Sequence, residues 1–187
     1  MNGLLANIEG YIDVDDNLKA ALGRYFKRVE FKKNTTILDI DSPCNWIFFI
    51  EAGECVTYYY QEGREVVSFV YPKGYWVTNW SAFYMQEQSE EAIKTNSDTV
   101  LYQISYNDFE ALYKEFPIME RFSRKNMEFH VAFSDKMYRG YSFGSPTERY
   151  NQLLKHFPEI TQIATLGKIA SVLGITRETL SRIRSKK

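Results

Sequence analysis

The sequence predicts an α+β protein with helices at both ends, an all-β sandwich or roll between them, and a closing helix-turn-helix. Three observations carry this prediction. Near Thr35 the apolar period changes from helical to strand-like, near Ile118 it changes back, and around Gly174 two short apolar patterns meet at a turn. The chain of 187 residues is 44% apolar and 16% aromatic, enough to build a core and to exclude a disordered polyelectrolyte.

Residues 4–29 read as mostly helical, because Leu18, Leu22, Tyr25, Phe26 and Val29 recur at short helical intervals. From Thr35 the segments TTILDI, WIFFIEAG, ECVTYYYQ and REVVSFVYP are short and rich in β-branched and aromatic residues. Asp41-Ser42-Pro43, Gly53, Gly63 and Pro72-Lys73-Gly74 punctuate them about every ten residues, the rhythm of a sandwich or roll. EAIKT and DTVLYQI close this region near Ile104, and Ser105, with Asp108 three residues on, caps a short helix.

A longer helix is expected over residues 118–139. Met119, Phe122, Asn126, Phe129 and Phe133 step by three and four, the spacing of a two-stranded seam, with Asn126 at a position where a buried amide fixes register. The same stripe would also fit against the protein's own β domain; the absence of another long helix and the narrowness of the stripe favour a homodimer. Gly140 and Gly144 then loosen the chain before Ser145-Pro146-Thr147-Glu148, a capping box with proline at the first helical position. These breaks divide the chain into 1–116, 117–140 and 141–187.

Net charge is −1, but the charges are segregated. Residues 1–119 hold 10 basic and 18 acidic side chains, whereas residues 145–187 hold 8 basic and 3 acidic ones. A polyanion partner is therefore expected for the C-terminal piece alone. In that piece Thr165 caps one helix, Gly174 ends it, and Thr176 caps the next. Ile169, Leu173, Ile175, Leu180 and Ile183 form one apolar cluster, Ala170 allows close approach, and Val172 alone falls outside the pattern. The second helix must then turn Arg177, Glu178, Ser181, Arg182 and Ser185 outward. An arginine forks onto guanine O6 and N7, and glutamate accepts from cytosine N4, so Arg177, Glu178 and Arg182 are the expected base readers of double-stranded DNA. Thr176, Thr179 and Ser181 offer short hydroxyls to phosphates, and Lys186 and Lys187 add salt-sensitive attraction.

The order of helix, roll, long helix and helix-turn-helix resembles the CRP/FNR family of bacterial transcription regulators over essentially the full length. SPTERYNQLLKHFPEI and IASVLGITRETLSRIR are similar to the family's DNA-binding domain, especially in its Bacteroidetes-type members. FFIEAGECVTYYYQEGRE and YPKGYWVTNW look like its cyclic-nucleotide-binding roll. The resemblance implies a jelly-roll (double-stranded β-helix) sensor domain, a dimerisation helix and a winged helix-turn-helix. It matches Arg177, Glu178 and Arg182 to the family's base-reading positions. It also implies homodimers on two-fold symmetric operators, contact with RNA polymerase, and a cytoplasmic location.

The departures from the family concern the ligand. Its phosphate loop has a Gly-Glu pair and, about ten residues on, an Arg-Ser pair; here Thr78-Asn79 and Ser89-Glu90 take those places. Glu90 and Glu91 put negative charge where a phosphate needs positive charge, so cAMP is not expected to bind. Trp76, Trp80, Phe83 and Tyr84, with Ser89 and Glu90, are a candidate pocket for an unidentified small-molecule effector, although together with Trp46 the aromatics read more readily as core. No cofactor is expected.

Rival classes find less support in the residues. A metalloenzyme on the same roll needs histidine ligands, and residues 30–105 contain none. Cys44 and Cys55 have neither metal spacing nor a partner histidine in sequence and read as reduced thiols. No apolar run reaches the roughly 20 residues of a membrane span, and the N-terminus lacks a secretory signal. A ligand-sensing module that regulates a partner protein is the remaining alternative; it predicts phosphate-loop residues and no DNA-reading helix.

Overall fold

In the computed structural model residues 1–185 are described, the side chains of Tyr141 and Ser142 excepted. The chain begins with α1 (Asn2–Glu9) and α2 (Asp16–Tyr25). Glu51 accepts hydrogen bonds from the amides of Gly3 and Leu4, at 3.0 and 3.1 Å, satisfying donors that a helix N-terminus leaves open. Asp15 caps α2 through the Leu18 amide at 2.8 Å.

The mostly helical segment expected over residues 4–29 forms as two helices and ends before Val29. The chain turns between Gly10 and Asp15, and Val29 lies in a strand, β1 (Lys27–Phe31). Tyr25, Phe26 and Val29 keep a helical interval, but Val29 pairs with Leu101 across an antiparallel ladder. Tertiary pairing overrides the local pattern there.

The strands that follow are β2 (Thr36–Leu38), β3 (Trp46–Ala52), β4 (Cys55–Gln61), β5 (Arg64–Tyr71) and β6 (Trp76–Val77). A helix, α3 (Trp80–Met85), precedes β7 (Ala92–Thr95) and β8 (Thr99–Ser105). They form two four-stranded sheets in the orders β1-β8-β3-β6 and β2-β7-β4-β5. Gly53 makes the turn after β3 with a φ of 83°; a Cβ there would come within 2.6 Å of the Asp98 carbonyl, so only glycine fits. Next come α4 (Tyr106–Glu115), with its Ser105 cap on the Asp108 amide, and the 26-residue α5 (Ile118–Phe143).

Two compact units result: residues 1–57 with 71–126, and residues 58–70 with 127–187. The core of the first includes a cluster of Leu4, Ile8, Leu22, Phe49, Phe83, Ile104 and Phe122, and a second one of Phe48, Ile50, Cys55, Val77, Ile93 and Leu101. Trp76 sits in the former against Phe26, Phe49 and Phe122, and its indole N–H donates to Asn7 at 2.9 Å. That satisfies the polar tip of a buried tryptophan.

The second unit contains the outer β4–β5 hairpin, the later part of α5, α6 (Pro146–His156), α7 (Ile160–Ile163), α8 (Leu166–Val172) and α9 (Arg177–Ser185). The capping box of α6 forms as expected, with Ser145 on the Glu148 amide and Glu148 on the Ser145 amide. Within this unit Phe69, Phe133 and Phe157 make an aromatic nest, with ring centroids 4.8 to 6.4 Å apart. Ser171 of α8 accepts from the Val67 amide at 2.8 Å and donates to the Val67 carbonyl at 3.1 Å, which satisfies both backbone groups of one hairpin residue.

Candidate nucleic-acid interface

The turn between α8 and α9 follows from one glycine and two threonines. Thr165 caps α8 through the Lys168 amide. At its other end the Ile175 amide reaches back to the Ala170 carbonyl (3.0 Å) and the Gly174 amide to the Ser171 carbonyl (2.9 Å), with Gly174 at φ 62°. That double closure is a Schellman motif, and its left-handed residue favours glycine. Thr176 then opens α9 by accepting from the Thr179 amide at 3.2 Å.

Ile169, Ala170, Leu173, Leu180 and Ile183 are buried, and Ile175 is half-buried. Val172 is buried as well, with 4% of its surface exposed. Its exclusion from the pattern is corrected: the helix face that packs is wider than the narrow stripe drawn from the sequence.

Arg177, Glu178, Ser181, Arg182, Arg184 and Ser185 all lie exposed on α9. Glu178 is held below the usual carboxylate range, first by its own backbone N–H, then by the Thr176 hydroxyl, with Arg177 and Arg182 adding to it. It is an ionised acceptor flanked by two arginines. The Thr176 and Thr179 hydroxyls lie 3.1 Å apart, and Arg182 donates to Thr179 at 3.4 Å. Arg182 also shares a groove with Thr179, Ile183 and the first turn of α6, Pro146 and Thr147. Sequence reasoning missed Thr147, whose place beside α9 depends on tertiary packing. Lys186 and Lys187 lie outside the described residues.

The stripe assigned to a dimer seam behaves differently along its length. Met119 and Phe122 are buried in the first unit's own core, Phe122 edge-on to Tyr11 with centroids 5.8 Å apart. Asn126 is 9% exposed and lines a narrow cleft with Ile47, Trp80, Tyr84 and Phe109. Phe133 packs on Phe157 and His156, at 5.3 and 5.5 Å. Of the five, Phe129 alone is exposed, at 50%. The seam reading is corrected for the other four, because self-packing covers the most apolar stripe. A different row on the same helix is open: Met127 half-buried, and Val131, Ser134 and Tyr138 exposed, stepping by 4, 3 and 4.

The candidate effector pocket does not assemble as a group. Phe83 is fully buried core, Ser89 is 1% exposed with its hydroxyl donated to the Glu91 carbonyl, and Glu90 faces solvent. Trp76, Trp80 and Tyr84 share the narrow cleft with Asn126, and Trp80 stacks on Tyr84. Thr78 and Asn79, which the resemblance sets against the family's phosphate loop, are engaged internally. Thr78 donates to the Trp46 carbonyl at 2.9 Å and lies 3.2 Å from the Cys44 sulfur. Asn79 caps α3, accepting from the Ala82 amide and the Ser81 hydroxyl. Among the described residues no group of three His, Cys, Asp or Glu side chains is placed to hold a metal, and no helix is long and apolar enough to cross a membrane.

Residues 28–116 match the family model of the cyclic nucleotide-binding domain. CooA of Carboxydothermus hydrogenoformans, solved as a double mutant, aligns with a TM-score of 0.73 at 16% identity, over 94% of this chain and 85% of its own. The c-di-GMP responsive global regulator CLP of Xanthomonas campestris aligns at 0.69 and 15%, over 92% and 91%. The chain has the fold of these regulators. A protein of Eubacterium rectale assigned to the crp/fnr family of transcriptional regulators gives the same result, 0.68 at 20% identity over 93% and 83%. No curated protein sequence matches the chain significantly. The fold of these regulators thus extends over almost the whole chain.

Proposed function

We propose that the protein is a sequence-specific DNA-binding transcription regulator of the CRP/FNR type, acting as a homodimer in the cytoplasm and not controlled by cAMP. The observation that carries this reading is the set of Arg177, Glu178 and Arg182, exposed together on the first turns of a helix whose apolar face is buried. A helix so presented fits the major groove, and its donor and acceptor types match base edges. Residues 141–187 form the DNA-reading part, residues 1–116 the sensor part, and residues 117–140 the dimer helix. The row Met127, Val131, Ser134 and Tyr138 supplies the seam in place of the buried stripe. A two-fold dimer reads half-sites about 34 Å apart, one helical turn of DNA.

The test is selection of duplexes from a random library by the full-length protein, followed by binding at 50 and 200 mM salt. The expected result is an enriched two-fold symmetric site whose affinity falls steeply with salt, while cAMP changes neither affinity nor melting temperature. A chain that enriches no sequence is not such a regulator.

A further inference from the structure

The exposed face of α9 contains more internal hydrogen bonding than a set of freely solvated readers needs. The Thr176 hydroxyl donates to the Thr179 hydroxyl at 3.1 Å. The Thr179 oxygen keeps lone pairs for the Arg182 N–H at 3.4 Å. Thr176 itself is fixed, because its oxygen caps the helix through the Thr179 amide. The Thr179 oxygen is therefore the shared acceptor of the Thr176 hydroxyl and the Arg182 guanidinium.

We propose that Thr179 is a positioning residue for base reading: its hydroxyl, anchored on the capping Thr176, sets the Arg182 guanidinium within the groove bounded by Pro146 and Thr147. This rests on the reading of the protein as a DNA-binding regulator and replaces the phosphate contact expected for Thr179 from the sequence. An unrestrained arginine loses several rotatable bonds of freedom when it forks onto a base; one already held by a neighbour loses less. The gain appears as discrimination at one base pair, because the hydroxyl touches no DNA itself. A hydroxyl on phosphate behaves otherwise, strengthening all sequences alike.

The experiment uses the full-length protein and the site it selects. Affinities are measured for the wild type, Thr179→Val, Thr179→Ser, Arg182→Ala and the Thr179→Val/Arg182→Ala double variant. The targets are the selected duplex, its single-base variants and random duplex. Arg182→Ala first identifies the base pair that the arginine reads. At that pair Thr179→Val is expected to reduce discrimination about three- to tenfold, the worth of one hydrogen bond, with random-duplex affinity unchanged. Thr179→Ser is expected to restore it, and Thr179→Val to add no further loss of discrimination in the Arg182→Ala background. Equal weakening on all duplexes overturns the proposal, as does a loss of discrimination that persists without Arg182. Failure of the wild type to select any site overturns the DNA-binding reading itself, a distinct result.

Discussion

The loop around Thr78–Glu91 and the first turns of α9 both carry a run of polar side chains, yet they treat those groups in opposite ways. In the roll, Thr78 and Asn79 are 2% and 8% exposed, and both bond to neighbouring chain. On α9, Arg177, Glu178 and Arg182 are exposed, and their internal partners are other exposed side chains that orient them. A buried polar group must find partners at home, because leaving it bare costs about 1–3 kcal/mol. Once it has them it has little left for a ligand. The polar groups of the roll at this position are spent on its own fold, while those of α9 lie open to solvent.

The largest effect expected from this contrast is on stability. Phe122→Ala removes a fully enclosed ring and should cost about 3–5 kcal/mol in urea unfolding. Val131→Glu, on the open row of the same helix, should leave the unfolding of the monomer little changed and shift sedimentation toward the monomer. Equal stability losses in both would mean that the two rows are not distinct.

A smaller effect belongs to the turn. Gly174→Ala forces a side chain into the left-handed region, with only an ordinary 3.8 Å contact to Arg149, so the conformation alone sets a cost of about 1–2 kcal/mol. Thermal melting of the C-terminal helices should register that loss, with a weakening of site-specific DNA binding beside it.

The helix-turn-helix was legible in the sequence because every signal there is local. Thr165, Gly174 and Thr176 each act within one turn of the chain, and the apolar residues between them leave one packing solution. The sandwich was legible for the same reason, through its β-branched runs and glycine turns. Two features were not. The strand containing Val29 depends on Leu101, seventy residues away, and its spacing imitates a helix. On α5 the periodicity finds the most apolar stripe but not what covers it. Met119, Phe122 and Asn126 face their own roll, and the open row beginning at Met127 lies about 100° around the helix, one residue further on. The short helix α3 was hidden too, since Trp80, Phe83 and Tyr84 read as roll core or pocket lining, and only the cap by Asn79 marks its start.

Arg182→Ala bears most directly on the claim that α9 reads bases. Binding of wild type and variant to the selected site and to random duplex, at one salt concentration, should show a loss of about 1–3 kcal/mol on the selected site and almost none on random duplex. An equal loss on both would make Arg182 a phosphate contact and remove base reading from this face of the helix.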